Sequence, residues 1–147
     1  PSNKSIGEIL SFTDRIPDLV FGNSSELMNA ANKKTLSTAI FSVFPGSRLV
    51  VATQAEKGAL IRYEEEVFSI PAVTVAKKDI IDETGAGDTY MGTMLALLMP
   101  TVGKWRKSDL LDAARTASYA SSLVIQSMES RLTPPMTKLV MDYNRNL

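Results

Sequence analysis

Chemistry is concentrated in one segment, Ile80-Ile81-Asp82-Glu83-Thr84-Gly85-Ala86-Gly87-Asp88-Thr89-Tyr90. A turn of small residues, Gly85-Ala86-Gly87, runs straight into an apolar stretch of helical character. The first N–H groups of a helix have no partner inside it, and the helix dipole places partial positive charge at that end. Such a terminus is a site for an anion, a phosphate above all. Small residues matter there because the phosphate must approach the backbone closely. Asp88 falls in the first turn of the same helix. It can be read as a partner of the helix dipole. It can also be read as a base facing the group that attacks a bound phosphate, because an anion site needs no fixed negative charge of its own. On these residues alone both readings stand.

Composition narrows the chemistry further. The 147 residues fit a single domain with a buried core. The 44% apolar and 22% charged shares are those of an ordinary globular protein. Sixteen basic residues balance sixteen acidic ones, which argues against nucleic acid or an anionic membrane as partner. With no cysteine, disulfides, thiolate catalysis and cysteine-ligated zinc are excluded. With no histidine, the Ser-His-Asp and Cys-His systems and most transition-metal sites go too. Proton transfer falls to Asp, Glu, Lys or Tyr, which suits phosphoryl transfer, a reaction that depends mostly on positioning and electrostatics. The apolar stretches are too short for a bilayer, and Pro1-Ser2-Asn3-Lys4 opens no signal peptide, so a soluble cytoplasmic protein is expected. The chain starts without Met and directly on a helix cap, which reads as a piece of something longer.

The elements that must position this segment alternate in type. Ser5 and Glu8 have capping-box spacing and predict a helix to about Asp14. Asp18 to Phe21 reads as a buried strand, and Ser24 to Asn32 and Thr35 to Phe44 as helices. Leu49 to Ala52 reads as a strand covered on both faces. Ala59 to Tyr63 and Val67 to Ile70 form a strand pair around a solvated Glu64-Glu65-Glu66 turn, and Val73 to Val75 one more short strand. Ala86 to Leu98, Ser108 to Met128 and Pro134 to Asn144 read as helices, the second capped by Ser108-Asp109. The expected fold is α/β, with helices flanking a largely parallel sheet of four to six strands.

Three motifs in order carry a family resemblance. Asp82 through Leu95 resembles the C-terminal signature of the ribokinase-like (phosphofructokinase-B type) carbohydrate kinases: an Asp, two variable positions, Gly-Ala-Gly-Asp, then a helix with small residues near Gly92. Upstream, Asn23-Ser24-Ser25-Glu26 is similar to the family's Asn-x-x-Glu motif, and Leu49 to Ala59 to its strand and nucleotide-contacting turn. The resemblance covers nearly the whole chain but only the C-terminal half of the family's usual length. It implies a phosphotransferase that moves the γ-phosphate of ATP to a hydroxyl of a sugar-like small molecule. Asp88 would be the general base, and the backbone of Gly85, Ala86 and Gly87 the anion hole. Asn23 and Glu26 would hold Mg²⁺ through water, and Thr53 and Gly58 would lie along the nucleotide. Asp82 would orient the loop or bind a monovalent cation.

Some positions depart from the pattern. Glu83 and Thr93 replace the family's usual residues, Ala55 stands for a common Gly in the nucleotide turn, and the late Gly-Ala turn is not evident in Met128-Glu129-Ser130-Arg131. The family's N-terminal half, with its sugar-binding residues and lid, is not in this chain, so the isolated chain is expected to turn over poorly or not at all. A homodimer, or association with that N-terminal half, is the expected partnership. Lys77 and Lys78 read as solvated, with phosphate steering the rarer alternative. Trp105 reads as packing over a helix rather than stacking on a base, and Met91, Met94 and Met99 as core filling. Beside the sugar kinase stand three rivals: a nucleoside kinase of adenosine type, a non-catalytic nucleotide-binding fragment, and a structural α/β fragment that associates through bare sheet.

Overall fold

The structure, a computed structural model, describes residues 16–147. The helix expected from Ser5 to Asp14 lies outside the described residues. The described residues divide into two compact units, one of residues 16–54 and Leu60–Ser69, the other of Ala55–Ala59 and Ile70–Leu147.

The first unit is built on a sheet in the order β1 (Leu19–Asn23), β2 (Leu49–Thr53), β3 (Ala59–Tyr63), β4 (Glu66–Ile70). β1 and β2 are parallel, in register from Leu19 opposite Leu49 to Asn23 opposite Thr53. Their crossover is helical, α1 (Ser24–Ala31) then α2 (Leu36–Ser42), as a parallel pair requires. β3 and β4 form the expected hairpin, with Glu64 left-handed at its turn (φ 53°), so the sheet is mixed. In β2, Leu49, Val50, Val51 and Ala52 are fully buried, which is why that strand is apolar at every position rather than at alternate ones. Leu27 and Ile40 from the helices pack with Val43, Val50 and Ala52 in one core cluster. Arg62 is a buried cation in this unit, and its guanidinium donates to the carbonyls of Ile40 (2.9 Å), Glu64 (3.1 Å) and Phe44 (3.4 Å). Those carbonyls at the end of α2 and the hairpin turn would otherwise be under-satisfied, and the cation would be buried without partners.

The second unit is helical: α3 (Ala86–Leu98), α4 (Lys107–Ile125) and α5 (Pro134–Arg145). α4 presents a buried strip of Ala113, Ala114, Ala117 and Ala120, small enough for α3 to lie close against it. Tyr119 of α4 stacks on Tyr143 of α5 at 4.4 Å between ring centroids. Trp105, in the loop before α4, is buried and donates its indole N–H to the Leu98 carbonyl at 2.8 Å, closing the end of α3.

Three expectations need correction. Val73 to Val75 is not a strand, because the Val73 N–H donates to Ser118 Oγ (3.0 Å) on α4 rather than to a neighbouring strand. α4 begins at Lys107, with Asp109 accepting the Arg106 N–H at 2.8 Å and its guanidinium at 2.8 Å; the N-cap is Arg106, two residues before Ser108, and both bonds run from Arg106 to Asp109. Of the three methionines only Met94 is core, while Met91 (37%) and Met99 (57%) are exposed. Among the described residues no helix is long and apolar enough to cross a membrane.

Candidate active site

In the first unit, Asn23 and Thr53 sit side by side, paired in register at the carboxyl ends of two adjacent parallel strands. That end of an open α/β sheet is where ligands bind. Asn23 is also the N-cap of α1, and its Oδ1 accepts the Glu26 N–H at 2.9 Å while Glu26 Oε2 accepts the Asn23 N–H at 2.8 Å. Gly22 makes room for this closure, since a Cβ there would run into the Leu27 side chain and lie 3.2 Å from Glu26 Oε2. The Asn-x-x-Glu spacing is therefore a capping box. It uses one oxygen of each side chain, and Glu26 Oε1, on an exposed residue, takes no part in it. A single exposed carboxylate oxygen fits Mg²⁺, a hard ion that keeps several of its waters. Among the described residues no three Asp or Glu are gathered into a metal cage.

In the second unit the small-residue turn is held from several sides. Asp82 accepts the Thr84 N–H at 2.9 Å, and that bond holds its carboxyl below the usual carboxylate range. The N–H groups of Ile81 (2.8 Å) and Asp82 (3.3 Å) both point at the Ile125 carbonyl, at the end of α4. Ser121 of α4 donates to the Ala86 carbonyl at 2.9 Å. Gly85 is left-handed (φ 81°), and a Cβ on it would collide with the Ser130 backbone. Gly85 is thus glycine for the sake of the protein's own packing. Gly87 is different: nothing lies within 4 Å of where its Cβ would be.

These contacts sort the turn's donors. The Ala86 N–H reaches back to the Glu83 carbonyl at 3.3 Å, and the Thr89 N–H makes the helix's first bond, to Gly85 at 2.8 Å. Among the described residues no acceptor meets the N–H groups of Gly85, Gly87 and Asp88. Two of the three donors in the Gly85 to Gly87 backbone are thus unmet, and Asp88 adds a third. The Asp88 side chain is exposed in the first turn of α3. It lines a cleft of about 350 Å³ between α3, α5 and the loop before α5.

The remaining positions are structurally occupied or solvated. Gly58 is left-handed (φ 93°) and buried, and a Cβ would strike the Ile70 carbonyl and lie 2.6 Å from the Ala72 nitrogen. Ala55, which opens the same turn, is itself left-handed (φ 50°), the backbone that usually calls for glycine. Lys77 and Lys78 lie exposed on a short helical turn. Ser121, Ile125 and Ser130, which fix the turn, were missed in the sequence. The one visible signal was a serine pair, Ser121-Ser122, near the end of a helix rich in small residues.

Residues 4–137 match the family described as pfkB family carbohydrate kinase. A cytidine kinase of Thermococcus kodakarensis is 32% identical over 80 residues, covering 54% of this chain and 28% of that protein. The structure of an aminoimidazole riboside kinase from Salmonella enterica, complexed with aminoimidazole riboside and an ATP analog, superposes with a TM-score of 0.77 at 20% identity, over 96% of this chain and 48% of that one. A fructokinase double mutant from Vibrio cholerae in a fructose-, ADP- and potassium-bound form superposes with a TM-score of 0.73 at 22% identity, over 86% of this chain and 40% of that one. The chain spans less than half the length of each of these proteins.

Proposed function

The chain belongs to the pfkB family of carbohydrate kinases, with a ribokinase-like α/β fold, and from that premise we propose that it is the nucleotide-binding and catalytic half of a longer enzyme. That enzyme transfers the γ-phosphate of ATP to a hydroxyl of a sugar or sugar-like small molecule. One observation carries the reading: the N-terminus of α3 offers three N–H groups, of Gly85, Gly87 and Asp88, that no acceptor meets among the described residues, and an open Gly87 with a carboxylate on the next residue.

The Asp88 carboxylate takes the proton of the attacking hydroxyl. The N–H groups of Gly87 and Asp88, fixed before the reaction begins, stabilise charge on the transferred phosphoryl, an effect worth a few kcal/mol per donor, about 3 to 4 at most. Thr53, at the carboxyl end of β2, and the turn ending at Gly58 run along the nucleotide. Mg²⁺, held by Glu26 and Asn23 through water, supplies charge neutralisation for the phosphates. Asp82 orients the loop through Thr84. The related fructokinase structure is a potassium-bound form, which supports a monovalent cation as a further ligand.

Asp88→Asn in the full-length enzyme is expected to lower kcat by about 10²–10⁴-fold, the usual cost of losing a general base, while Mg·ATP still binds. A variant that keeps more than about a tenth of wild-type kcat removes Asp88 from that role.

A further inference from the structure

The loop between α4 and α5 carries a cation that no described residue pairs. Among the described residues Arg48, Arg62, Arg106, Arg115 and Arg145 each have a partner: the Tyr63 hydroxyl, main-chain carbonyls, Asp109, Asp112 and Asp142 in turn. Arg131 alone has none there, neither a hydrogen bond nor an ion pair. It is also the one base among the residues that line the cleft, where Asp88 is the one acid. The loop sets it there. The Ser127 hydroxyl donates to the Val124 carbonyl at 3.0 Å and accepts the Glu129 N–H at 3.2 Å, which ties the loop to the end of α4. The Ser130 main chain then packs so closely on the anion turn that its carbonyl carbon lies 2.7 Å from where a Gly85 Cβ would be. Arg131 is the next residue, so the loop that supports the turn also brings a guanidinium to the cleft beside it.

Charge gives that cation a task. A nucleoside triphosphate brings more negative charge than one Mg²⁺ cancels, and Asp88 adds its own. The N-terminus of α3 returns only roughly half a positive charge. A guanidinium is always charged, and its planar fork of donors meets two oxygens of a phosphate at once. We infer that Arg131 is a ligand of the phosphate chain, joining the N–H groups of Gly85, Gly87 and Asp88 around it. The inference rests on the kinase reading of the α3 N-terminus. It adds a cation to that site where the family's late Gly-Ala turn is not evident in Met128-Glu129-Ser130-Arg131.

The test is calorimetric titration of the chain with Mg·ATP and, separately, with the Mg²⁺ complex of inorganic tripolyphosphate, beside Arg131→Gln and Arg131→Lys. Tripolyphosphate has the phosphate chain without base or sugar. Arg131 is exposed and holds no described residue, so both variants keep the fold, and thermal melting checks that they do. The expected result is that Arg131→Gln weakens both ligands by about tenfold, the size of a hydrogen bond to a charged group. Arg131→Lys, which keeps the charge but not the fork, should restore part of both. A loss confined to Mg·ATP would set Arg131 against the base or ribose and overturns the inference. So does an Arg131→Gln variant that binds both ligands as tightly as wild type. A wild-type chain that binds Mg·ATP but not tripolyphosphate also overturns it, and leaves the kinase reading standing. A folded wild-type chain that binds neither strikes the kinase reading as well.

Discussion

Gly85 and Gly87 are two residues apart and are glycine for different reasons. Gly85 carries a left-handed backbone against the Ser130 main chain, so Gly85→Ala should destabilise the chain by about 2–3 kcal/mol in chemical denaturation. Gly87 faces open space, and Gly87→Ala should stay within about 0.5 kcal/mol of wild type. Equal effects at the two positions would contradict this division. Sequence reading could see that small residues were needed here, but not which served the fold, because Ser130 is distant in the chain. Asp82 adds a pH dependence. Its carboxyl is held low by the Thr84 N–H, so the interaction is present at neutral pH and is lost as pH falls through the depressed value. The Thr84 amide signal in NMR should titrate with a midpoint below the ordinary aspartate value of about 3.9; a midpoint at or above it would show that the bond is absent.

At the scale of elements, motif and scaffold share the same atoms. Asn23 and Glu26 close a capping box on α1, so Asn23→Ala should cost about 1 kcal/mol of stability whatever it does to Mg²⁺. Such a loss read from activity alone would be mistaken for a metal effect; comparing melting with Mg·ATP affinity separates them. Ala55 occupies a left-handed turn, and Ala55→Gly should hold or raise stability by up to about 1 kcal/mol. A clear loss would mean that the turn is not left-handed in solution. The long periodic segments were legible: β2, the β3–β4 hairpin and α3 fall where their apolar patterns placed them. Val73 to Val75 was not, since β-branched residues favour a strand only where a partner strand exists, and here a serine on α4 takes the Val73 N–H. The start of α4 was missed because the acceptor at N3, Asp109, was read as part of the cap itself.

At the scale of the molecule, the sheet of the first unit ends at β1, an edge strand among the described residues, and β1 already pairs in parallel with β2. Unpaired edges template further pairing. Light scattering should show an apparent mass that rises from monomer toward dimer with concentration, and a mass that stays monomeric at every concentration would contradict an open edge. The fold class could be read from alternating strands and helices, and the anion site from three small residues and an aspartate. The cleft could not, because its walls come from α3, α5 and the loop between α4 and α5, which only tertiary packing brings together. The central claim is that the N-terminus of α3 holds a nucleotide phosphate. Calorimetric titration of the chain with Mg·ATP, beside a Gly87→Val variant whose melting is unchanged, tests it most directly. Saturable binding by the wild-type chain is expected, weakened by about tenfold or more when a side chain fills the space over the free N–H groups. A folded variant that binds Mg·ATP as tightly as wild type, or a folded wild-type chain that does not bind it, would contradict that claim.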